Sequence, residues 1–383
     1  MNHWPKVRLG EVLKLDLDRV PVDASMSYPM VGVLSFGRGL FERESIRNGQ
    51  TSYKYFHRLK AEHVVMSQLF GWEGALALSD NKFSGKYLSP QFPTFICNSE
   101  KLDRQFLGWL MRRKIFWDEL GSRTSGMGDR RRTLNPEALF ACEIPLPPLS
   151  EQRRIVARIE ELAAQIREAH QLGKEVEKDL NSLTMSAYHQ IADNAPRRPM
   201  SEVAPLNRRP TNVSIEKEYP QVAVRSFGKG TFHKPPLPGS AITWQKPFLV
   251  KAGDILISNI KAWEGAIAVA AEEDEEHYGS HRYLTCVPAC GFATSRFVCF
   301  HLLTDEGLNK IGEASPGSAD RNRTLNVKAL LQIPIPVPSF ENQLWFDQLY
   351  HEVCKVKSHQ AETAAELNAL LPAILDKTFM GML

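Results

Sequence analysis

Short apolar runs broken by glycine and proline fill the first part of the chain: Tyr28 to Phe36, His63 to Leu78 and Phe92 to Cys97. They are too short and too rich in β-branched residues for helices and predict strands. Gln221 to Phe227 and Asp254 to Val269 predict strands again, later in the chain. Phe106 to Leu120 and Phe297 to Ile311 predict helices. Asn135 stands before Pro136 and Glu137, an N-cap followed by proline at the first helical position, and Asn326 repeats the cap. A proline-rich connector follows in each case, Ile144 to Leu149 and Ile333 to Pro338.

After the first connector the period changes. From Ile155 the apolar or small positions run Ile159, Leu162, Ile166, Ala169, Gly173, Val176, Leu180, Leu183 and Ala187. Steps of four and three alternate, the seam of a coiled coil with one weak position at Gly173. The helix should span Ser150 to about Asp193, roughly 65 Å at 1.5 Å per residue. The second copy is less regular: Phe346, Tyr350, Val353, polar Lys357 and Gln360, then Ala364, Leu367, Leu371 and Ile374, with Pro372 expected to kink it. Two helices of like length most simply bury their seams against each other. A two-fold relation would run them antiparallel and hold the globular units apart at opposite ends.

The two halves are copies. Phe36-Gly37-Arg38-Gly39 recurs as Phe227-Gly228-Lys229-Gly230, and Trp72-Glu73-Gly74-Ala75 as Trp263-Glu264-Gly265-Ala266. Asp129-Arg130, Arg132-Thr133-Leu134-Asn135 recur as Asp320-Arg321, Arg323-Thr324-Leu325-Asn326. Each pair is 191 positions apart, although around Tyr87 and Tyr283 the register slips by five before recovering. A period this long means two whole domains, not a solenoid. The expected architecture is α+β, a pseudo-two-fold internal repeat of two strand-rich domains joined by two long antiparallel, coiled-coil-like helices. Its segments are 1–148, a central helix over 149–195, 196–339, and a C-terminal helix over 340–383.

Charge narrows the partners. Lys+Arg 47 against Asp+Glu 44 leaves a net charge of +3, unlike a protein that coats nucleic acid. Any contact with DNA must rest on local positive charge. The six cysteines fit no zinc spacing and predict reduced thiols. No signal-length apolar stretch and no run of about 18 apolar residues occurs, so a soluble, cytoplasmic protein without membrane contact is expected.

Strand-rich domain, Ile144-Pro-Leu-Pro-Pro-Leu-Ser-Glu-Gln-Arg-Arg-Ile-Val156, long helix, and the whole unit again resemble the specificity subunit of type I restriction-modification systems. The closing Leu370-Leu-Pro-Ala-Ile-Leu-Asp-Lys-Thr-Phe379, Gly253-Asp-Ile-Leu-Ile-Ser258 and Trp263-Glu-Gly-Ala266 carry the likeness further. The resemblance implies two target-recognition domains, each reading half of a split double-stranded DNA target, and a helical spacer that binds two methyltransferase subunits. Those partners would carry S-adenosylmethionine and methylate adenine, and a separate motor-nuclease subunit could join. No cofactor is expected in this chain. The second connector, Pro338-Ser-Phe-Glu-Asn-Gln343, keeps only Gln343 of the Glu-Gln pair, so contact there could differ. Glu151, Gln152, Ile155 and Gln343 are the expected partner contacts.

No Asn/Asp-Pro-Pro-Tyr/Phe methyltransferase motif and no triphosphate-binding loop is present, so no catalytic residue or metal site is expected. The candidate DNA contacts are cationic. Arg130, Arg131 and Arg132, with Arg321 and Arg323 in the second copy, precede a capped helix, where they could pair with phosphate or read guanine. The same arginines could instead pair with Asp129 or Asp320 and brace the loop. Arg38 and Lys229 each lie between glycines that let backbone approach a ligand. Lys54, Arg282 and Tyr283 lie in stretches that diverge between the copies, where base readers belong. Trp72 and Trp263 read as core residues. Two other functions stay open: a free-standing DNA-binding regulator that dimerises through its coiled coil, and an unrecognised endonuclease.

Overall fold

The computed structural model describes residues 4–23, 25–47, 50–124, 132–242, 246–317 and 323–382; Arg130, Arg131 and Arg321 lie outside the described residues. By packing, the chain divides into two units, Met1–Gly173 with Ala361–Leu383, and Lys174–Gln360. It is α+β, with strand-rich sheets and two long helices, Leu149–Ala192 and Phe340–Phe379.

The first unit builds a five-stranded sheet in the order Arg19–Pro21, Tyr55–Arg58, Tyr87–Leu88, Ser27–Leu34, Gly39–Arg47. A four-stranded sheet follows the order Leu13–Leu15, Thr94–Cys97, Val64–Met66, Leu76–Leu78. Lys6–Arg8 pairs antiparallel with the connector Glu143–Pro145, Val7 opposite Ile144. The second unit repeats this with four strands (Thr231–Pro238, Glu218–Val224, Tyr278–Gly279, Phe248–Leu249) and three (Ile267–Val269, Ile255–Ser258, Tyr283–Cys286). Its connector pairing puts Arg198 opposite Ile335.

Three expectations change. The register does not slip: Tyr87 pairs in parallel with Met30 and Tyr278 with Gln221, so Tyr278, not Tyr283, is the counterpart of Tyr87. Each expected single helix is two, Arg104–Leu110 with Lys114–Ser122 and Ser295–Leu303 with Asp305–Glu313. Extended backbone at Arg113 and at Thr304 breaks them, and the Thr304 hydroxyl accepts from Gly307 N–H to cap the next helix. Gly307 is required there, since a β-carbon would lie 2.2 Å from the His301 carbonyl. Finally, Trp72 and Trp263 do not sit in strands. Each lies in a single 3₁₀ turn, Gly71–Glu73 or Ala262–Glu264, and is only half buried.

The asparagine caps form as expected, Ala138 N–H donating to Asn135 Oδ1 at 2.9 Å and Lys328 N–H to Asn326 Oδ1 at 3.0 Å. The seam of the first long helix is buried only towards its ends. Ile155, Ile159 and Ala163 enter the core of the first unit with Leu375 and Phe379. Ala187, Tyr188 and Ala192 pack in the second unit with Phe297 and Phe346. Between them Val176 and Leu183 are exposed, so the seam is not one continuous buried stripe. In each unit the start of one long helix packs near the end of the other, which makes the pair antiparallel. The second helix continues through Pro372, and Asp376 pairs with Arg113 at 2.9 Å.

Candidate nucleic-acid interface

The strands Ser27–Leu34 and Gly39–Arg47 form a hairpin whose turn carries Phe36 and Gly37, both at positive φ (63° and 64°). Main-chain bonds fix that turn: Phe36 N–H donates to Glu73 O at 2.8 Å and Gly37 N–H to Gly74 O at 3.0 Å. The Ser35 hydroxyl reaches the Glu73 carboxylate at 3.3 Å. The 3₁₀ turn behind it ends at Gly74, φ 80°, where a β-carbon would lie 2.4 Å from the Trp117 ring. The Arg132 guanidinium lies 5.3 Å from the centre of the Trp72 ring, and Leu134 N–H, two residues on, is tied to Gln68 O.

The second unit repeats the arrangement bond for bond. Phe227 and Gly228 have φ 63°, and their N–H groups donate to Glu264 O and Gly265 O, both at 2.8 Å. Ser226 reaches Glu264 at 2.9 Å, and Arg323 lies 5.0 Å from the Trp263 ring. Lys261 adds a second cation, 5.2 Å from the same ring and 2.6 Å from the Glu264 carboxylate. That ammonium, helped by Ser226, holds the Glu264 carboxyl below the usual range, so the turn carries a fixed internal anion. Leu325 N–H donates to Asn259 O, and Asn259 N–H to Arg282 O at 2.7 Å, which brings Arg282 beside this loop.

Hairpin turn, tryptophan turn and Arg132 or Arg323, far apart in sequence, therefore meet in each unit. Arg38 and Lys229 sit on the hairpin, exposed, with their charges 5.7 and 5.9 Å from the Phe36 and Phe227 rings. Arg132 and Arg323 are half-exposed over tryptophan faces. Cations over aromatic rings keep their charge while losing rotamer freedom, which suits contact with phosphate or a base edge. Lys54 stands elsewhere, exposed at the head of a strand two places from the hairpin strand. Tyr283 is half-buried against the core of its sheet, and burial raises its phenol above the ordinary value.

The expected partner contacts need correction. Gln152 and Gln343 are 0% exposed and Ile155 3%, so none of the three presents a surface to another chain. Ile155 is core, and both glutamines bond to the main chain of their own unit. Glu151 pairs with Arg154 at 2.8 Å. Sequence reasoning took Gln343 for a remnant of a contact motif, whereas its preservation has an internal structural cause.

The family described as type I restriction modification DNA specificity domain matches residues 1–178. The crystal structure of the HsdS subunit from Thermoanaerobacter tengcongensis superposes with TM-score 0.62 at 25% identity, covering 100% of this chain and 98% of that one. Residues 1–178 carry a type I restriction-modification DNA specificity domain, and the whole chain is similar to a specificity subunit. A second structure, from work on complex assembly and conformational transition of the type I R-M system, shares the fold with TM-score 0.71 at 24% identity, covering 100% and 99%. No curated protein matches the sequence. A DNA specificity domain reads DNA, and the duplicated cationic turn is the candidate surface for it. Among the described residues no group of three His, Cys, Asp or Glu side chains could hold a metal ion, and all six cysteines are free thiols.

Proposed function

We propose that each unit of this specificity subunit reads one half of a split duplex target through its hairpin turn, tryptophan turn and arginine loop. The chain contributes recognition and no catalysis. It directs two methyltransferase subunits, which bring S-adenosylmethionine and methylate adenine in the cytoplasm, and a motor-nuclease subunit can join the same assembly. The observation that carries this reading is the duplication itself. The backbone bonds holding Phe36 and Gly37 recur at Phe227 and Gly228, while the intervening surfaces diverge. One framework with two different surfaces suits a protein that reads two different half-sites. With Gln152, Ile155 and Gln343 buried, partner subunits have other apolar surface to use: Val176 and Leu183 on the first long helix, Leu344 and Trp345 on the second. No described helix is long and apolar enough to cross a membrane.

The test is an exchange. Residues 1–148 are replaced by the first domain of another family member, and the modified adenines are mapped by sequencing in cells that carry the partner subunits. One half of the methylated site should change and the other stay. A change in both halves, or in neither, would rule the proposal out.

A further inference from the structure

The turns at Phe36 and Phe227 contain a residue that their shape disfavours. Hairpin turns with two successive residues at positive φ favour Asn-Gly, because asparagine and glycine tolerate the left-handed region. A phenylalanine there sets its β-carbon against the following carbonyl. Both units nonetheless place Phe first and Gly second. Burial does not compensate: Phe36 is 62% exposed, although its ring lies 6.2 Å from Trp117, and Phe227 is 74% exposed. The turn itself is held by main-chain bonds to Glu73, Gly74, Glu264 and Gly265, which any residue at the position could make. The side chain is therefore kept for something outside the chain.

Its surroundings indicate what that is. Each ring carries one cation, Arg38 or Lys229, and the 3₁₀ turn that holds its backbone carries the tryptophan under Arg132 or Arg323. A single apolar projection set among cations matches the alternation of base faces and phosphates along a nucleic acid. The neighbouring apolar surface is maintained only in part: exposed Leu69 corresponds to exposed Ile260, whereas half-exposed Phe70 of the first unit corresponds to Lys261 in the second. We infer that Phe36 and Phe227 are DNA-contacting wedges, each ring stacking on or entering a base step beside the bases its unit reads. The inference rests on the reading that both units bind DNA. Because every base presents a stacking face, such a contact adds affinity without selecting sequence, which explains why it is the same in both units.

The experiment uses the full chain with its methyltransferase subunit, and the methylated sequence as duplex probe. Phe36→Asn and Phe227→Asn suit the turn, so each variant should fold and melt no lower than the parent. Each should bind DNA about 5- to 150-fold more weakly at constant salt, the loss expected for one stacked ring. The loss should be alike for matched and mismatched duplexes. A 2-aminopurine placed through the half-site should brighten at one step with the parent and not with the matching variant. Unchanged affinity in both variants would overturn the inference, as would loss of methyltransferase binding with DNA affinity retained, which would make the rings protein contacts. If Arg132→Ala with Arg323→Ala weakens DNA binding while the Asn variants do not, only the wedge fails. A parent complex that binds no DNA would instead remove the underlying reading.

Discussion

Gln152 accepts the N–H of Asp103 on its side-chain oxygen at 2.7 Å and donates its amide to the carbonyls of Lys101 and Pro147, both at 2.8 Å. Gln343 does the same with Thr294, Phe292 and Pro338, at 3.0, 3.1 and 3.0 Å. Asp103 and Thr294 are the N-caps of the helices Arg104–Leu110 and Ser295–Leu303. One buried amide thus ties the start of a long helix to a helix cap and to the proline connector.

Gln152→Ala should cost about 2–4 kcal/mol, since three main-chain groups lose their partner out of water. Gln152→Glu should be worse than alanine, because a carboxylate would face two carbonyls where an amide donated. Gln343 should respond alike. Urea unfolding of the variants checks this, and a loss under 1 kcal/mol for Gln152→Ala would mean that water takes over the bonds.

The division between what the sequence shows and what it hides follows from the range of the interactions. The repeat, the Asn135 and Asn326 caps and the long helices are written locally, in periodicity and neighbouring residues. The breaks at Arg113 and Thr304 fall in short polar stretches, Arg112-Arg113-Lys114 and Thr304-Asp305-Glu306, between apolar segments whose helical spacing carries on across them. Gln152 looked like surface chemistry because its partners, Lys101 and Asp103, lie some fifty residues upstream. The site was legible in pieces: the glycine turn, the tryptophan motif and the arginine run were each visible. That Arg132 lies over Trp72, and that Phe36 is held by Glu73, depends on tertiary placement. The one available signal for Phe36 was a phenylalanine where a tight turn would ordinarily carry asparagine.

Gly173→Ala should stabilise the chain by about 1 kcal/mol. The position lies inside a 44-residue helix, and nothing stands within 4 Å of where a β-carbon would go. Alanine removes glycine's backbone freedom in the unfolded chain without adding a clash. Chemical denaturation should show a higher midpoint, and a lower one would mean that the helix bends or opens at this point in the folded state.

Acid should act on the second unit through two opposed groups. His301 is buried and meets the Tyr188 phenol at 2.6 Å, and burial pushes its pKa down to about 4, with Glu306 and Arg197 nearby acting in opposite directions. Between about 6.5 and 4 the unfolded chain takes up a proton there that the folded chain refuses, so stability falls as pH drops. Asp347, bonded to Thr294 with Arg296 close by, is pushed up to about 6 by burial. Between 6 and its ordinary value the folded chain holds the extra proton, so this group adds stability as pH drops. The two trends offset one another. Asp347→Asn removes the second, so the variant should be more stable than the parent at pH 7 and lose stability more steeply between pH 6 and 4. Parallel pH profiles of parent and variant would refute this.

Arg132→Ala combined with Arg323→Ala should weaken DNA binding by the assembled complex and leave folding intact. Each guanidinium lies over a tryptophan, at 5.3 and 5.0 Å, in a geometry that fixes its plane. Two readings differ in their salt dependence. If both arginines meet phosphate, the loss should be uniform across sequences, and the slope of log K against log salt should become shallower by about 1.8, at 0.9 per phosphate. If they read guanine, discrimination at one position per half-site should fall by about 1–3 kcal/mol. Arg→Lys separates them again, since lysine keeps the charge and the salt slope but cannot make the planar two-bond contact with a base. Phosphate contact is the expected result, because the same pairing recurs in both units while their surroundings differ, and a base reader would have diverged with the target. A drop in melting temperature with DNA affinity unchanged would assign these arginines to bracing the loop against its tryptophan turn.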